Sequence, residues 1–170
     1  MVVLALMCLG LGAQTPADNF KAALKYNRIS FSYCIQEGTF KGEGKIVLQG
    51  NCFRMEANGL EVVSDGKSVW TLDGKSKEAV IENVVKTAWD KVDAHNIELV
   101  PVDDTSFKTL SLRLSDGTHP KVVSAVIYLP DDTRIKVAVT DMKYLPKVGV
   151  GNFTVKTDTL SQDFVITDLR

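Results

Sequence analysis

Residues 51–83 read NCFRMEANGLEVVSDGKSVWTLDGKSKEAVIEN. Two Asp-Gly pairs, Asp65-Gly66 and Asp73-Gly74, bracket a short run centred on Trp70. Asp-Gly supplies the positive φ values that tight hairpin turns need, so the stretch reads as a β-meander. It holds no glycine loop before a helix and no His/Cys cluster. Its function is therefore expected to reside on the surface of a sheet.

The same period of two extends towards the N-terminus. Ile29, Phe31, Tyr33 and Ile35 alternate with polar residues, which predicts a strand with one apolar face. After a turn at Glu37-Gly38, Phe40, Gly42, Gly44, Ile46 and Leu48 share one side of a second strand. Two glycines on the apolar side weaken a strand, but they permit curvature or a close approach to the backbone. Phe53 and Met55 continue the alternation on a third strand. Before these strands, Pro16 suits a first helical turn, and Phe20, Ala23, Leu24 and Asn27 share one face. A short amphipathic helix is expected over 17–27.

Beyond the meander the period changes. Val84, Val85, Ala88, Trp89 and Val92 form one helical stripe, with Asn83 as N-cap, so a helix is expected over 84–94. Alternation then returns in 96–102, in Leu110/Leu112/Leu114 and in Ile135/Val137/Val139, while 122–129 is apolar on both faces. Two edge-like strands are expected at 152–156 and 164–168. The sum is a mainly β single domain of about ten antiparallel strands with few helices.

Composition narrows the function. The chain has 170 residues and a net charge of -1, which disfavours nucleic acid as a partner. Residues 2–12 are almost wholly apolar, too few to span a bilayer of ~30 Å as a helix but of signal-peptide length. Export is expected, with cleavage near Ala13/Gln14. Residues 1–13 then form the signal and 14–170 the mature domain. No Lys or Arg precedes the run, which allows a start further upstream. Met7 before Cys8 and apolar residues after it argue against lipidation there. Cys34 and Cys52 fall on the first and third strands, about 10 Å apart with a strand between them, so free thiols are expected.

Catalytic machinery is not legible. His95 and His119 lack neighbours at ligand spacing, and no nucleophile elbow, phosphate loop or zinc signature occurs. Asp103-Asp104 and Asp131-Asp132 read as turn residues. The chain is expected to be neither an enzyme nor a metal or cofactor protein. What it offers is apolar alternation: Phe31, Tyr33, Ile35, Phe40, Ile46, Leu48, Phe53, Met55, Trp70 and Leu72. Two short helices cannot cover so large a sheet. It must close on itself or leave an apolar concavity for a ligand.

The ordered set of motifs resembles the LolA-like family of periplasmic outer-membrane lipoprotein carriers. The carrying features are the N-terminal helix, the Phe31-x-Tyr33 strand, Asn51-Cys-Phe53, the hairpin Ser64-Asp-Gly-Lys-x-x-Trp70, and Phe153 followed by the terminal DFVITDLR of 163–170. Together they span most of the mature chain. The resemblance implies an open antiparallel half-barrel with acyl chains held on a concave face lined by the ten residues above. The N-terminal helix and a lid helix, presenting Val85, Ala88, Trp89 and Val92, would cover that face. It also implies a periplasmic carrier or chaperone, monomeric, taking lipoproteins or other lipids from an inner-membrane donor to an outer-membrane acceptor. Members carry a basic residue and a proline just before Asn-x-Phe, where this chain has Gln49 and Gly50. The alternative is an envelope sensor or structural module on the same half-barrel that carries no lipoprotein.

Overall fold

The computed structural model describes residues 14–102 and 104–170. Its elements are α1 (Pro16–Tyr26), β1 (Arg28–Glu37), β2 (Phe40–Gln49), β3 (Cys52–Ala57), β4 (Leu60–Ser64), β5 (Ser68–Asp73), β6 (Glu78–Asn83), β7 (Lys86–Val92), β8 (Asn96–Val102), β9 (Thr109–Leu114), β10 (Val122–Tyr128), β11 (Arg134–Leu145) and β12 (Val165–Asp168). Twelve strands form one sheet in the order β12-β6-β5-β4-β3-β2-β1-β11-β10-β9-β8-β7. All pairings are antiparallel except that of β12 with β6. Two meanders, β1–β6 and β7–β11, are thus zipped together along β1 and β11.

Chain connectivity rolls this sheet. In the hydrogen-bonding order β6 and β7 lie ten strands apart, about 48 Å along a flat sheet at ~4.8 Å per strand. Yet only Val84 and Val85 join Asn83 to Lys86, and three Cα steps reach at most about 11 Å. The end of β6 and the start of β7 must therefore lie within about 11 Å of each other. The sheet is open, but curled round an inside and an outside.

Helix α1 closes one mouth of the roll. Thr15 caps it: its hydroxyl accepts from the Asp18 N–H at 3.1 Å, and the Asp18 carboxylate accepts from the Thr15 N–H at 3.3 Å. Its backbone is tied at both ends, with Ala17 N–H donating to the Ala94 carbonyl (3.1 Å) and Gly50 N–H to the Leu24 carbonyl (3.3 Å). Asn19 adds a bond to the Gly117 carbonyl at 3.1 Å. The turns after β2, β7 and β9 are thus gathered on one helix. Ala17, Phe20 and Ala23 pack on Ile29, Ile97, Leu114 and Met142, which come from β1, β8, β9 and β11. These four strands lie within five consecutive places of the sheet order.

Three sequence expectations are corrected. The helix expected at 84–94 is strand β7 with its two-residue lead-in. A bulge between Trp89 and Lys91 breaks the alternation, so Trp89 opposes Leu99 and Val92 opposes Ile97 on the same face, three residues apart. That spacing imitates a helical stripe. The strand expected at 152–156 is instead a 3₁₀ turn at Val150–Phe153 leading into irregular chain. At the second Asp-Gly turn the left-handed residue is Lys77 (φ 59°), whereas at the first it is Gly66 (φ 87°). Residues 2–12, read as a signal, lie outside the described residues.

Candidate functional site

Strand register sorts the expected face residues. Ile29, Leu48, Phe53 and Ser64 oppose one another across β1–β4, so their row and alternate residues along each strand face inward with α1. Phe31, Tyr33, Ile35, Phe40, Ile46, Leu48, Phe53 and Met55 all belong to this inner face. Trp70 and Leu72 do not. Trp70 opposes Val63 and Ile81, and Leu72 opposes Glu61 and Ala79, on the outer face. This corrects their assignment. Of the expected lid residues, Trp89 and Val92 fall on the inner face opposite Leu99 and Ile97, Ala88 faces outward opposite Val100, and Val85 lies in the link between β6 and β7.

The second meander contributes the rest. Val137, Val139, Ile127, Leu110 and Leu99 fall on the inner face through their pairing with Ile35, Tyr33 and one another. Their alternation was visible in the sequence. Their partnership with β1 was not, because it joins residues about a hundred positions apart. α1 buries only the rows at its own mouth. Further along, Tyr33, Ile35, Ile46, Met55, Val137 and Val139 are half-buried, and Phe40 at the rim is exposed. Charge segregates by face. Lys41, Glu43, Lys45, Arg54, Glu56 and Glu61 all point outward, and the corresponding inner positions of β2–β4 are apolar, Gly or Ser.

Gly44 stands on the inner face, and its use is specific. A Cβ there would collide with the Glu56 carbonyl and lie 3.1 Å from the Tyr33 ring. The missing side chain lets β3 and the Tyr33 ring close in. At Gly42 the nearest atom would be 3.8 Å away, in ordinary contact.

The outer face of β3–β6 has its own cover. Residues 148–164 strap across it. Gln49 holds the strap, its amide donating to the Val148 carbonyl at 2.8 Å and accepting from the Val148 N–H at 2.9 Å. The one amide satisfies a backbone donor and a backbone acceptor together. Phe153 anchors the strap, and Arg54, ion-paired with Glu61, donates to the Asn152 carbonyl at 3.3 Å. Two cavities lie along this face, of about 490 and 920 Å³.

Polar groups elsewhere make their own contacts. His95 pairs with Asp116 at 2.8 Å across 21 residues, a contact that no local spacing revealed. Cys34 and Cys52 are free thiols on β1 and β3, with β2 between. Burial, then the charge of Asp65, pushes the Cys52 thiol up. Burial pushes the Tyr144 phenol to about 12, and its hydroxyl donates to the Pro120 carbonyl. Among the described residues no group of three His, Cys, Asp or Glu could hold a metal ion.

The turns titrate instead. Asp65 accepts from the N–H groups of Ser68 and Lys67, both at 2.9 Å, which holds its carboxyl below the usual range. Asp73 is held down likewise by Lys75 and Ser76, and Asp93 by the Asn96 side chain and the N–H groups of His95 and Asn96. A carboxyl depressed in the folded state stabilises above its unfolded pKa of ~3.9, and that contribution is lost as pH falls through the folded value. The thermal midpoint is therefore expected to stay level from about pH 7 to 5 and to drop below about pH 4. Circular-dichroism melts across that range test this; a fall already under way near pH 6 would mean that these carboxyls do not set the acid limit.

No family model matches the chain, and no curated protein matches it. Among solved structures, the crystal structure of an uncharacterized conserved protein from Thermus thermophilus is similar, with a TM-score of 0.58 at 13% identity. The match covers 89% of this chain and 95% of that one. At that identity the likeness shows a shared fold and nothing of activity.

Proposed function

We propose that this chain is an exported carrier of acylated molecules, of the LolA-like kind. It would shield lipoprotein acyl chains, or a similar lipid, on its inner face while they pass from an inner-membrane donor towards an outer-membrane acceptor. The observation that supports this reading is the uncharged stretch of the inner face on β2–β4 and the neighbouring parts of β1 and β11, which runs on past α1 from Leu48 and Phe53 out to Ile35 and Val137. Burial of a chain of sixteen carbons is worth on the order of 10 kcal/mol, at ~0.8 per CH₂. A carrier needs only to offer a comparable apolar surface and then yield to a better one. No covalent step is required, and the chain would act as a monomer without cofactor.

The test is a charge on that face. Ile46→Asp is expected to weaken binding of an environment-sensitive fatty-acid probe at least tenfold, while the far-UV spectrum and melt stay cooperative. Unchanged probe affinity would sink the inner-face reading. Mass spectrometry of lipids retained by the natively exported protein provides a second readout, and N-terminal sequencing of that material should begin near Gln14.

The second reading, an envelope binding or structural module, draws on one observation. α1 is fastened by backbone bonds at both ends, to Ala94 and to Gly50. A cover tied so firmly suits a fixed part of a scaffold. Absence of any retained acyl species, together with failure of the probe to bind, would decide for it.

A further inference from the structure

The strapped cavity on the outer face has a chemistry different from the inner face. It measures about 490 Å³, inside the ~300–1,000 Å³ range of small-molecule pockets. Its walls include Val63, Leu72 and Phe153, all buried. Its charged lining is Arg28, Arg54 and Lys156 against the carboxylate of Glu61 alone. Glu61 is already committed to Arg54, which leaves Arg28 and Lys156 without that counter-charge. Arg28 is the informative residue. Its Nε is buried and has no hydrogen-bond partner among the described residues. A buried guanidinium N–H is normally matched by an acceptor, and the two oxygens of a carboxylate or phosphate fit the guanidinium fork. The larger cavity shares Leu72, Leu160 and Glu61 with this one, so the apolar floor continues beyond it towards Phe164.

We propose that the cavity beneath residues 148–160 binds a single-chain anionic amphiphile, its oxyanion head on Arg28 and Lys156 and its tail along Leu72 and Leu160. The head is read by a planar fork of donors, so carboxylate and phosphate heads share the required geometry. A cationic head meets repulsion from the same two residues. The strap gives the site its roof, and the Gln49–Val148 clasp keeps the roof in place. This site is separate from the inner face, and the two can be lost independently.

Isothermal titration of the full chain with dodecanoate, dodecyl phosphate and dodecyltrimethylammonium tests the assignment. In the Ile46→Asp background, which removes the inner face, dodecanoate and dodecyl phosphate are expected to bind still, and the ammonium amphiphile to bind at least tenfold more weakly. A preference for one anion over the other identifies the head as carboxylate or phosphate. Arg28→Gln added to that background should weaken anion binding tenfold or more, and Arg28→Lys less, since it keeps the charge but not the fork. Lys156→Gln, at an exposed strap position, provides a variant that spares the fold and should lower affinity severalfold. Equal binding of the cationic and anionic amphiphiles overturns the proposal. So does anion binding that survives both Arg28→Gln and Lys156→Gln, or that disappears with Ile46→Asp alone. Inorganic phosphate binding as tightly as dodecyl phosphate would also overturn it, because the tail would then contribute nothing.

Discussion

Phe20→Ala is expected to lower folding stability by about 3–5 kcal/mol, the range for deleting a buried Phe ring. Phe20 is 5% exposed and sits in one cluster with Ile29, Ile97, Leu114 and Met142. The magnitude follows from what α1 lacks on its own. A helix of 11 residues is marginal in water even with a capping box and a proline in its first turn. Its persistence depends on the face it buries, and on that face Ala17 and Ala23 are small and Phe20 is the one large side chain buried. Truncating Phe20 leaves a cavity in the cluster to which four strands contribute. The check is urea unfolding followed by far-UV circular dichroism. The midpoint should fall with little change in slope. A loss below about 1 kcal/mol would mean that the backbone ties to Ala94 and Gly50, rather than packing, hold the mouth closed.

Gly44→Ala should cost about 3 kcal/mol, at the upper end for overpacking, while Gly42→Ala should be near neutral or mildly stabilising. Both glycines occupy the inner face of β2, two residues apart, so chain entropy and strand propensity change alike. Only the surroundings differ. At Gly44 the added methyl runs into a backbone carbonyl of the neighbouring strand, which cannot rotate aside as a side chain would. Relief requires β2 and β3 to separate near Glu56, at the expense of their ladder. At Gly42 the methyl meets only the Asn58 amide at 3.8 Å. The pair is best measured side by side by chemical denaturation. Equal effects at the two positions would remove the close approach of Glu56 as the explanation.

Alternation made β1, β2 and β3 legible to within about a residue, because one face of each is apolar and the other polar. The helix over 17–27 was equally plain, and it begins one residue earlier than expected because Pro16 enters the first turn. Elsewhere the period is blurred, absent or broken. In β4 and β5, Val62-Val63 and Val69-Trp70 are apolar at consecutive positions, since α1's side and the strap's side both call for apolar residues there. Alternation then loses its meaning, and Trp70 and Leu72 were credited to the wrong face. The strap itself carries no period: Val148, Phe153, Leu160 and Phe164 are spaced five, seven and four apart. Irregular chain that buries scattered side chains leaves no pattern to read. In β7 a single inserted residue converted a spacing of two into a spacing of three. The strapped cavity depends on Arg28 and Lys156, which are 128 residues apart in the chain. Only the folded sheet brings them together.

The two residues between β6 and β7 act as a tether. At that point the two strand ends cannot part by more than about 11 Å. A sheet free to flatten would offer its whole apolar face to water and to other copies of itself, with the risk of self-association that such patches carry. This one stays furled by covalent connection.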